Sequence, residues 1–347
     1  MKDGKAPRLA VIIPAYNAES YIDRAVESVL SQSLTELRLI VVNDGSTDGT
    51  AARLAALAER DGRLLCVDSP NQGPAAARNL ALELLDGDAE YVMFMDADDV
   101  LLPDAAQYAL EGGRGADMVV FGFSILAADG SLRSYCEPEQ HLDADTLGSA
   151  LGRLYKANLL NQVWGKLFRL SLIRDGGLRF PDYRWGEDRL FIFACLERAG
   201  TVAVLPDCKY RYMMHPGESL INKFYDKKLQ VCLEADESMQ ELCRHLSVED
   251  GADFRYMFAK SVFSCLTTLF TPGCPLSLRE KRDYVRGVVD SEYVRRRCEG
   301  DCGGAAVELL CAVLRTRSVP LNMAVFRLVA AAGRLTPGLF MALKHRK

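Results

Sequence analysis

Residues 91–99 read Tyr-Val-Met-Phe-Met-Asp-Ala-Asp-Asp, an apolar strand that runs directly into a group of carboxylates. A buried strand needs its apolar residues but gains nothing from acids at its end. In extended chain, Asp96 and Asp98 would project to the same side with their Cα atoms about 7 Å apart. Such a pair can hold a hard divalent cation, which in turn can hold a diphosphate. The alternative is a solvated turn, because aspartate also favours turns and helix caps.

The first third of the chain alternates continuous apolar runs with helical segments. One helix is predicted to follow a capping box at Ser20–Asp23, and another to begin at Gly73-Pro74. Continuous apolar strands separated by helices indicate an α/β fold, with a mostly parallel central sheet covered by helices on both faces. The strands are predicted at residues 9–13 (ended by Pro14), 37–42, 64–67, 91–95 and 118–123, and later at 201–205 and 209–214.

Polar side chains follow four of these apolar runs, each at the point where the strand ends. In doubly wound sheets, ligands bind outside the carboxyl ends of the parallel strands. The coincidence therefore predicts one cleft assembled from four loops. The polar groups are Tyr16-Asn17, Asn43-Asp44, Asp68 onward, and Asp96-Asp98.

The second part of the chain is helical and poor in strands. From about Asp226 the pattern is interrupted only at residues 271–275 and 300–304. A chain of 347 residues is also long for a single core. We therefore predict an α/β domain at 1–222 and a helical region at 223–347, the latter available for acceptor, partner or membrane-surface contact.

Composition narrows the class of protein. The net charge of −5 at pH 7 argues against general nucleic-acid binding. Eleven cysteines are scattered without a CxxC zinc pattern, and Met1–Pro7 is polar rather than a signal peptide. Buried free thiols and a cytoplasmic location are therefore expected.

The last forty or so residues are basic and apolar. From Ala305 to Lys347 there are seven Lys and Arg residues against one acid, Glu308. No stretch reaches the roughly 18–20 apolar residues that a transmembrane helix needs. Two interpretations remain open: a helical pair packed on its own domain, or a segment lying on an anionic membrane surface at the inner face of the plasma membrane.

Six segments, in this order, resemble family 2 glycosyltransferases over about residues 8–220. The resemblance implies the GT-A fold, in which a Rossmann-like sheet binds a nucleotide sugar, and a metal-dependent, inverting enzyme of the hexosyltransferase type. The segments are Val11-Ile-Ile-Pro-Ala-Tyr-Asn17, Val41-Val-Asn-Asp-Gly-Ser-Thr-Asp48, Asn71-Gln-Gly-Pro-Ala-Ala-Ala-Arg-Asn79, Phe94-Met-Asp-Ala-Asp-Asp99, Trp164-Gly-Lys166 and Gly186-Glu-Asp188.

The resemblance assigns the donor, expected to be a UDP-sugar, to the first four segments. Asp44 would bind the base edge, although Asp44-Gly45 could also be a plain turn. Gly73 would let the backbone approach the ligand, or would only open a helix. Arg78 would either bridge the nucleotide or pair with a carboxylate such as Asp96. The remaining donor-binding candidates are Pro14, Ala15 and Tyr16 as a wall beside the base, Asn17, Asp96 and Ala97 near the ribose and diphosphate, and Lys166 near the phosphates or the acceptor.

The metal, Mn²⁺ or Mg²⁺, is assigned to the acidic segment. Asp98 would ligate it directly, with Asp96 beside it and His215 as a candidate third ligand. His215 could instead be a surface histidine in a turn. Lys166 could instead have a solvent-facing side chain. Asp99 is expected to cap the helix that begins near Pro103.

The acceptor half of the reaction is assigned to Glu187-Asp188. Direct displacement with inversion needs one base to take the proton of the acceptor hydroxyl. Asp188 is the predicted base and Glu187 the alternative, and either could instead be a helix cap. The expected acceptor is a growing cell-surface glycan, either free or lipid-linked. The rival functions are a nucleotide-sugar binding or scaffold protein without turnover, and a nucleotidyltransferase, whose Gly-rich first loop is not present at residues 14–19.

Overall fold

The computed structural model describes residues 7–85, 89–215 and 223–335, with only the backbone described at 334–335. The chain divides into two compact units. The first comprises Met1–Gly217 and Ser238–Val248, and the second comprises Glu218–Glu237 and Glu249–Lys347. The predicted domain boundary at residue 222 lies in 216–222, outside the described residues.

The first unit contains a ten-stranded sheet. Its main path runs β3-β2-β1-β4-β9-β6-β10-β5, while β7 pairs with β6 and β8 pairs with β10. The strands are β1 (Leu9–Ala15), β2 (Leu37–Asp44), β3 (Leu64–Ser69), β4 (Tyr91–Phe94), β5 (Val100–Leu101), β6 (Met118–Leu126), β7 (Leu132–Tyr135), β8 (Gln140–Asp143), β9 (Lys166–Arg169) and β10 (Thr201–Met213).

Most of the central strands point in one direction. β3, β2, β1 and β4 are parallel neighbours, and β10 is parallel to β6. β9 lies antiparallel between β4 and β6, so these two strands also share a direction. The α/β prediction with a mostly parallel sheet is thus confirmed, with the short strands β5, β7, β8 and β9 as antiparallel additions.

Helices connect the strands of this unit, and their apolar faces are buried. Ile22, Ala25, Val26 and Val29 form the buried face of the first of them, at the spacing of an amphipathic helix. The helices are α1 (Ile22–Leu30), α2 (Thr50–Arg60), α3 (Pro74–Leu84), α4 (Ala105–Gly113), α5 (Ala144–Lys156), α6 (Leu170–Asp175) and α7 (Glu187–Arg198), and α8 (Lys228–His245) contributes to both units.

Strand register brings the predicted polar loops to one edge of the sheet. Ala15 pairs with Asn43, and Asn43 pairs in turn with Asp68. The Asn43 side-chain amide also donates to Asp68 at 2.7 Å. The carboxyl ends of β1, β2 and β3 therefore lie side by side, as the cleft prediction requires.

Three local predictions were wrong. Pro14 does not end β1, because a proline can occupy a strand position whose N–H is not needed, and the strand continues to Ala15. The capping box at Ser20 is not formed, since α1 begins after Tyr21 without a side-chain cap. The segments predicted as two strands at 201–205 and 209–214 belong to one strand, β10, which ends at Met213 and has irregular register between Leu205 and Tyr210.

The second unit is helical in its described part, as predicted. Its core includes Phe258, Val262, Leu266, Val288 and Phe326. Arg297 is buried there and bonds Asp236 at 2.6 and 2.8 Å, with Asp250 as a further partner. Its other helices are α9 (Ala252–Thr268), α10 (Leu278–Asp290), α11 (Glu292–Arg297), α12 (Ala305–Arg315) and α13 (Val319–Leu335). Across the described residues, no helix combines the length and apolar character needed to cross a membrane.

Candidate active site

Asp44, at the end of β2, fixes the loop that leads into α3. Its Oδ1 accepts from the Gln72 N–H at 2.9 Å and its Oδ2 from the Gly73 N–H at 2.8 Å. Gly73 has φ +92°, and a Cβ placed there would have the Arg184 Cγ at 3.9 Å as its nearest neighbour. The space beside Gly73 is therefore open, while the close approach of a ligand there stays a prediction. Each carboxylate oxygen of Asp44 thus already accepts a hydrogen bond from the backbone of this loop. The contact of Asp44 with a base stays a prediction.

The loop after β1 is joined to the loop after β2. The Asn17 side-chain oxygen accepts from the Thr47 N–H at 2.8 Å, and the Asn17 N–H donates to the Ser46 Oγ at 3.0 Å. Ala15 is buried, whereas Tyr16 is 52% exposed. The tyrosine ring is thus exposed to solvent, and Pro14 is half-buried. Their predicted role as a wall beside the nucleotide base stays a prediction.

The acidic segment after β4 folds as a turn rather than as extended chain. β4 ends at Phe94, and the Asp99 N–H bonds the Asp96 carbonyl at 3.3 Å. The expected extended conformation is therefore wrong, and the projection of Asp96 and Asp98 to the same side stays a prediction. Ala97 lies within this turn, and the two carboxylates have different partners: Arg78 for Asp96, and His215 for Asp98.

Asp99 anchors this turn to β10 and does not cap a helix, which corrects the prediction. It is fully buried and accepts from the Tyr210 hydroxyl at 2.6 Å and from the Met213 N–H at 2.8 Å. The Tyr210 oxygen accepts in turn from the Asp96 N–H at 3.2 Å. Burial, reinforced by the charges of Asp96 and Asp98, raises the pKa of Asp99 well above its usual range.

Replacing Tyr210 with phenylalanine should weaken this anchor. The change leaves the buried Asp99 carboxyl and the Asp96 N–H without their shared partner, so we expect a loss of about 1–3 kcal/mol in the free energy of unfolding. Turnover should also fall, because Asp96 and Asp98 lose their fixed orientation. Denaturant unfolding and activity assays check both effects. Tyr212→Phe, whose ring also stacks near Trp164, is the matched control, and equal losses in the two variants would contradict the anchoring role.

Arg78 joins the two predicted halves of the site. Its Nη2 donates to Asp96, and its Nη1 donates to both Glu187 and Asp188, each at 3.0 Å. Arg78 is 3% exposed, and burial alone would lower its pKa, but the three carboxylates outweigh burial and raise it. Of the two roles left open for Arg78, the structure shows carboxylate pairing, with three partners rather than the one expected.

Glu187 and Asp188 open α7 directly after Gly186, which has φ +84°. Asp188 Oδ2 also accepts from the Val163 N–H at 3.1 Å, so both of its oxygens are oriented by the protein. The Asp188 side chain is 17% exposed and that of Glu187 is 8% exposed. Burial, with the neighbouring Asp188 charge, raises the pKa of Glu187 to about 7, and burial raises that of Asp96 to about 6.

Glu187→Gln should change how stability depends on pH. The pKa of Glu187 rises from 4.5 to about 7 on folding, so in this interval the folded chain keeps a proton that the unfolded chain has released. The wild type therefore loses stability through this group as pH rises across the interval, while the variant does not. We therefore expect the difference in free energy of unfolding between variant and wild type to shift by about 3 kcal/mol in favour of the variant, from acid pH to above pH 7. Urea titrations at several pH values measure this gap, and a gap that is constant with pH would refute the assignment.

Lys166 does not face solvent, which corrects one of its two interpretations, and its contact with the phosphates or the acceptor stays a prediction. It is 1% exposed, and its Nζ donates to the carbonyls of Gln162 at 2.6 Å and Trp164 at 3.2 Å. Burial lowers its pKa to about 7, against the opposing charge of Asp188. Lys166 therefore supports the segment whose Val163 N–H holds Asp188.

A divalent cation fits part of the residue set predicted for it. Mg²⁺ sites commonly use one or two carboxylates together with substrate phosphates. The Asp98 side chain is 39% exposed, and its Oδ2 lies 3.9 Å from the His215 Nε2, a buried atom without a hydrogen bond among the described residues. No group of three metal-capable side chains is assembled in the described part of the chain. The predicted shell of Asp96, Asp98 and His215 is therefore not preformed, because Asp96 is turned towards Arg78.

Sequence reasoning missed Tyr210 and Arg184. The Tyr210 hydroxyl donates to Asp99, which lies 111 residues away in sequence, and nothing in the sequence around Tyr210 indicates that contact. Arg184 is exposed and lies beside Gly73, within the polar loop that precedes α7. Its position between two of the recognised segments is the signal that could have identified it.

Comparison with known proteins decides the family. The family model described as Glycosyl transferase family 2 matches residues 10–169. TuaG of Bacillus subtilis, named as a teichuronic acid biosynthesis glycosyltransferase, is 31% identical over 223 residues, which are 63% of this chain and 83% of TuaG. The chain belongs to glycosyltransferase family 2. EpsH of the same organism, named as a glycosyltransferase, is 28% identical over 229 residues, 65% of each chain.

The structural comparison supports the same fold. Residues 1–349 of TarS from Staphylococcus aureus, solved in complex with UDP, align with a TM-score of 0.64 and 19% identity, covering 94% of this chain and 91% of that one. This confirms the GT-A prediction together with the helical C-terminal region. The chain spans less than two thirds of EpsH and of the Rhizobium meliloti succinoglycan biosynthesis protein ExoO, at 65% and 62% of their lengths.

Proposed function

We propose that this chain is an inverting glycosyltransferase that moves a sugar from a nucleoside diphosphate sugar, expected to be UDP-linked, to a hydroxyl of a growing cell-surface glycan. The observation that carries the proposal is the Arg78 cluster. One buried guanidinium links the carboxylate after β4 to the two carboxylates that open α7. The donor side and the acceptor side of the predicted reaction are thus parts of one cluster.

On the donor side, the open backbone at Gly73 and the exposed ring of Tyr16 flank the end of β2. We assign the base to this region, where Asp44 orders the loop, and the diphosphate to the region near Asp98. Arg184, exposed beside Gly73, adds a positive charge near the donor. A bound Mn²⁺ or Mg²⁺ at Asp98 and His215 would offset the charge of the departing diphosphate. TarS has been solved with UDP and with UDP-GlcNAc, which favours UDP as the nucleotide here as well.

On the acceptor side, Asp188 is the proposed base. Arg78 and the Val163 N–H hold its two oxygens in a fixed orientation, and it is more exposed than Glu187. The acceptor oxygen attacks the anomeric carbon as its proton passes to Asp188, while the bond to the diphosphate oxygen breaks. A single displacement inverts the anomeric centre. Lys166 and Arg78 act by holding the base in place.

The names of two relatives support a proposal for the biological setting. TuaG and ExoO are named for the biosynthesis of teichuronic acid and of succinoglycan. We infer that the acceptor is likewise a cell-surface polysaccharide or its lipid-linked precursor, and that the chain works in the cytoplasm. The identity of the sugar and of the accepting hydroxyl is assigned to the segment between β6 and β9, which includes β7, β8 and α5.

A screen of nucleotide sugars with Mn²⁺, with and without glycan acceptors, tests the proposal. We expect release of a nucleoside diphosphate that is strongly stimulated by one acceptor, and a product with inverted anomeric configuration by NMR. Saturable binding of the sugar nucleotide without turnover would favour a binding or scaffold protein. Release of pyrophosphate from a nucleoside triphosphate would favour a nucleotidyltransferase, and either result would overturn the proposal.

A further inference from the structure

Helix α13 is apolar on both of its sides. Asn322, Phe326 and Ala330, spaced by four residues, are 0–4% exposed and face the core of the second unit. Leu321, Ala324 and Leu328 lie on the opposite side, because successive residues of a helix are 100° apart. Leu328 is 69% exposed and Leu321 is 42% exposed. A surface helix of a water-soluble domain normally carries polar residues on its outer side, whereas the outer side of α13 carries two exposed leucines and an alanine.

The sequence around this face carries positive charge without acids. No Asp or Glu follows Glu308, whereas seven Lys and Arg residues lie between Arg315 and Lys347. Arg315, Arg317 and Arg327 are exposed, and Arg327 directly precedes Leu328. Arg317 pairs with Asp290 at 3.1 Å, so its charge is partly offset. Apart from that pair, the helix presents exposed leucines in a positively charged segment of a chain that is acidic overall.

We propose that the outer face of α13, formed by Leu321, Ala324 and Leu328, docks on an anionic lipid surface. The leucines would enter the boundary between headgroups and acyl chains, while Arg327 would meet lipid phosphates. Charge favours this occupant over a second copy of the chain, since two copies of the same basic segment repel each other. The proposal concerns where the protein is held and is independent of the transfer reaction.

Co-sedimentation of the full chain with lipid vesicles tests the docking. The vesicles are phosphatidylcholine alone, or phosphatidylcholine mixed in equal parts with phosphatidylglycerol. We expect binding to the anionic vesicles only, and a partition coefficient lowered roughly tenfold or more in the double variant Leu321→Gln/Leu328→Gln. Arg327→Gln should weaken binding less, and added salt should weaken it further.

Leu278→Gln is the matched control, because Leu278 is a 73% exposed leucine on a different helix, at the start of α10. It should bind vesicles as the wild type does, and all variants should keep the wild-type melting temperature, since each change is at an exposed position. Equal loss in the control and the double variant, or no binding of the wild type to anionic vesicles, would overturn the proposal. A dimer in sedimentation velocity that the double variant abolishes would assign the face to self-association and would overturn it equally.

Discussion

Asp188→Asn is expected to lower the turnover number by about a hundredfold to ten-thousandfold, the usual contribution of a positioned general base. Asparagine keeps the size of aspartate and one accepting oxygen, so it can accept from Arg78 or from the Val163 N–H, but not from both. The variant cannot accept the acceptor proton at this position. Steady-state assays of nucleoside diphosphate release measure the loss, while calorimetry should give a donor affinity close to that of the wild type.

Two comparisons make this result specific. Asp175→Asn, at an exposed ion pair with Arg174 on α6, should leave both turnover and affinity unchanged. Glu187→Gln should retain more activity than Asp188→Asn, because Glu187 is the more buried of the two carboxylates. Full turnover in Asp188→Asn would remove Asp188 from the role of base, and loss of activity only in Glu187→Gln would transfer that role to its neighbour.

Arg78→Met is expected to destabilise the fold as well as abolish transfer. The change leaves three carboxylates around a buried position without their shared counter-charge. Removing one partner from a buried ionic network typically costs about 3–5 kcal/mol. Urea unfolding of the purified variant should show this loss, and it should be greatest at high pH, where burial no longer keeps Glu187 and Asp96 protonated.

Arg53→Met provides the matched control for Arg78. Arg53 bonds Asp23 at 2.6 Å, but both side chains are nearly half exposed, so its loss should cost less than about 1 kcal/mol. Arg78→Lys should be intermediate, since one ammonium keeps the charge but cannot reproduce the fork of a guanidinium. If Arg78→Met unfolded at the same urea concentration as Arg53→Met, the cluster would not be the structural centre of the site.

The sheet and the shared edge of its polar strand ends were predictable because their signals are local. Each buried strand is a continuous apolar run, and its polar end is read directly from the next two or three residues, as at Asn43-Asp44. The fold class therefore followed from strand and helix periods. The exact strand ends did not, because the residues between Leu205 and Tyr210 are held in one strand by pairing with β6, a contact distant in sequence.

The hydrogen bonds and ion pairs within the site could not be predicted, since they join segments that are distant in sequence. Arg78 meets Glu187 across 109 residues and Asp99 meets Tyr210 across 111. The direction of the Lys166 side chain was also inaccessible, because a lysine after a tryptophan gives no sign that it will be buried against two carbonyls. Alternation predicted an extended chain at Asp96 and Asp98, but the backbone bond from Asp99 to Asp96 makes this segment a turn.

A crystal structure of the chain with UDP and Mn²⁺, in which anomalous scattering locates the metal, tests the central claim most directly. We expect Mn²⁺ within coordination distance of an Asp98 oxygen, the diphosphate on that metal, and the base between Tyr16 and the end of β2 near Asp44. A nucleotide bound away from the carboxyl ends of β1, β2 and β4, or a metal that does not contact Asp98, would contradict it.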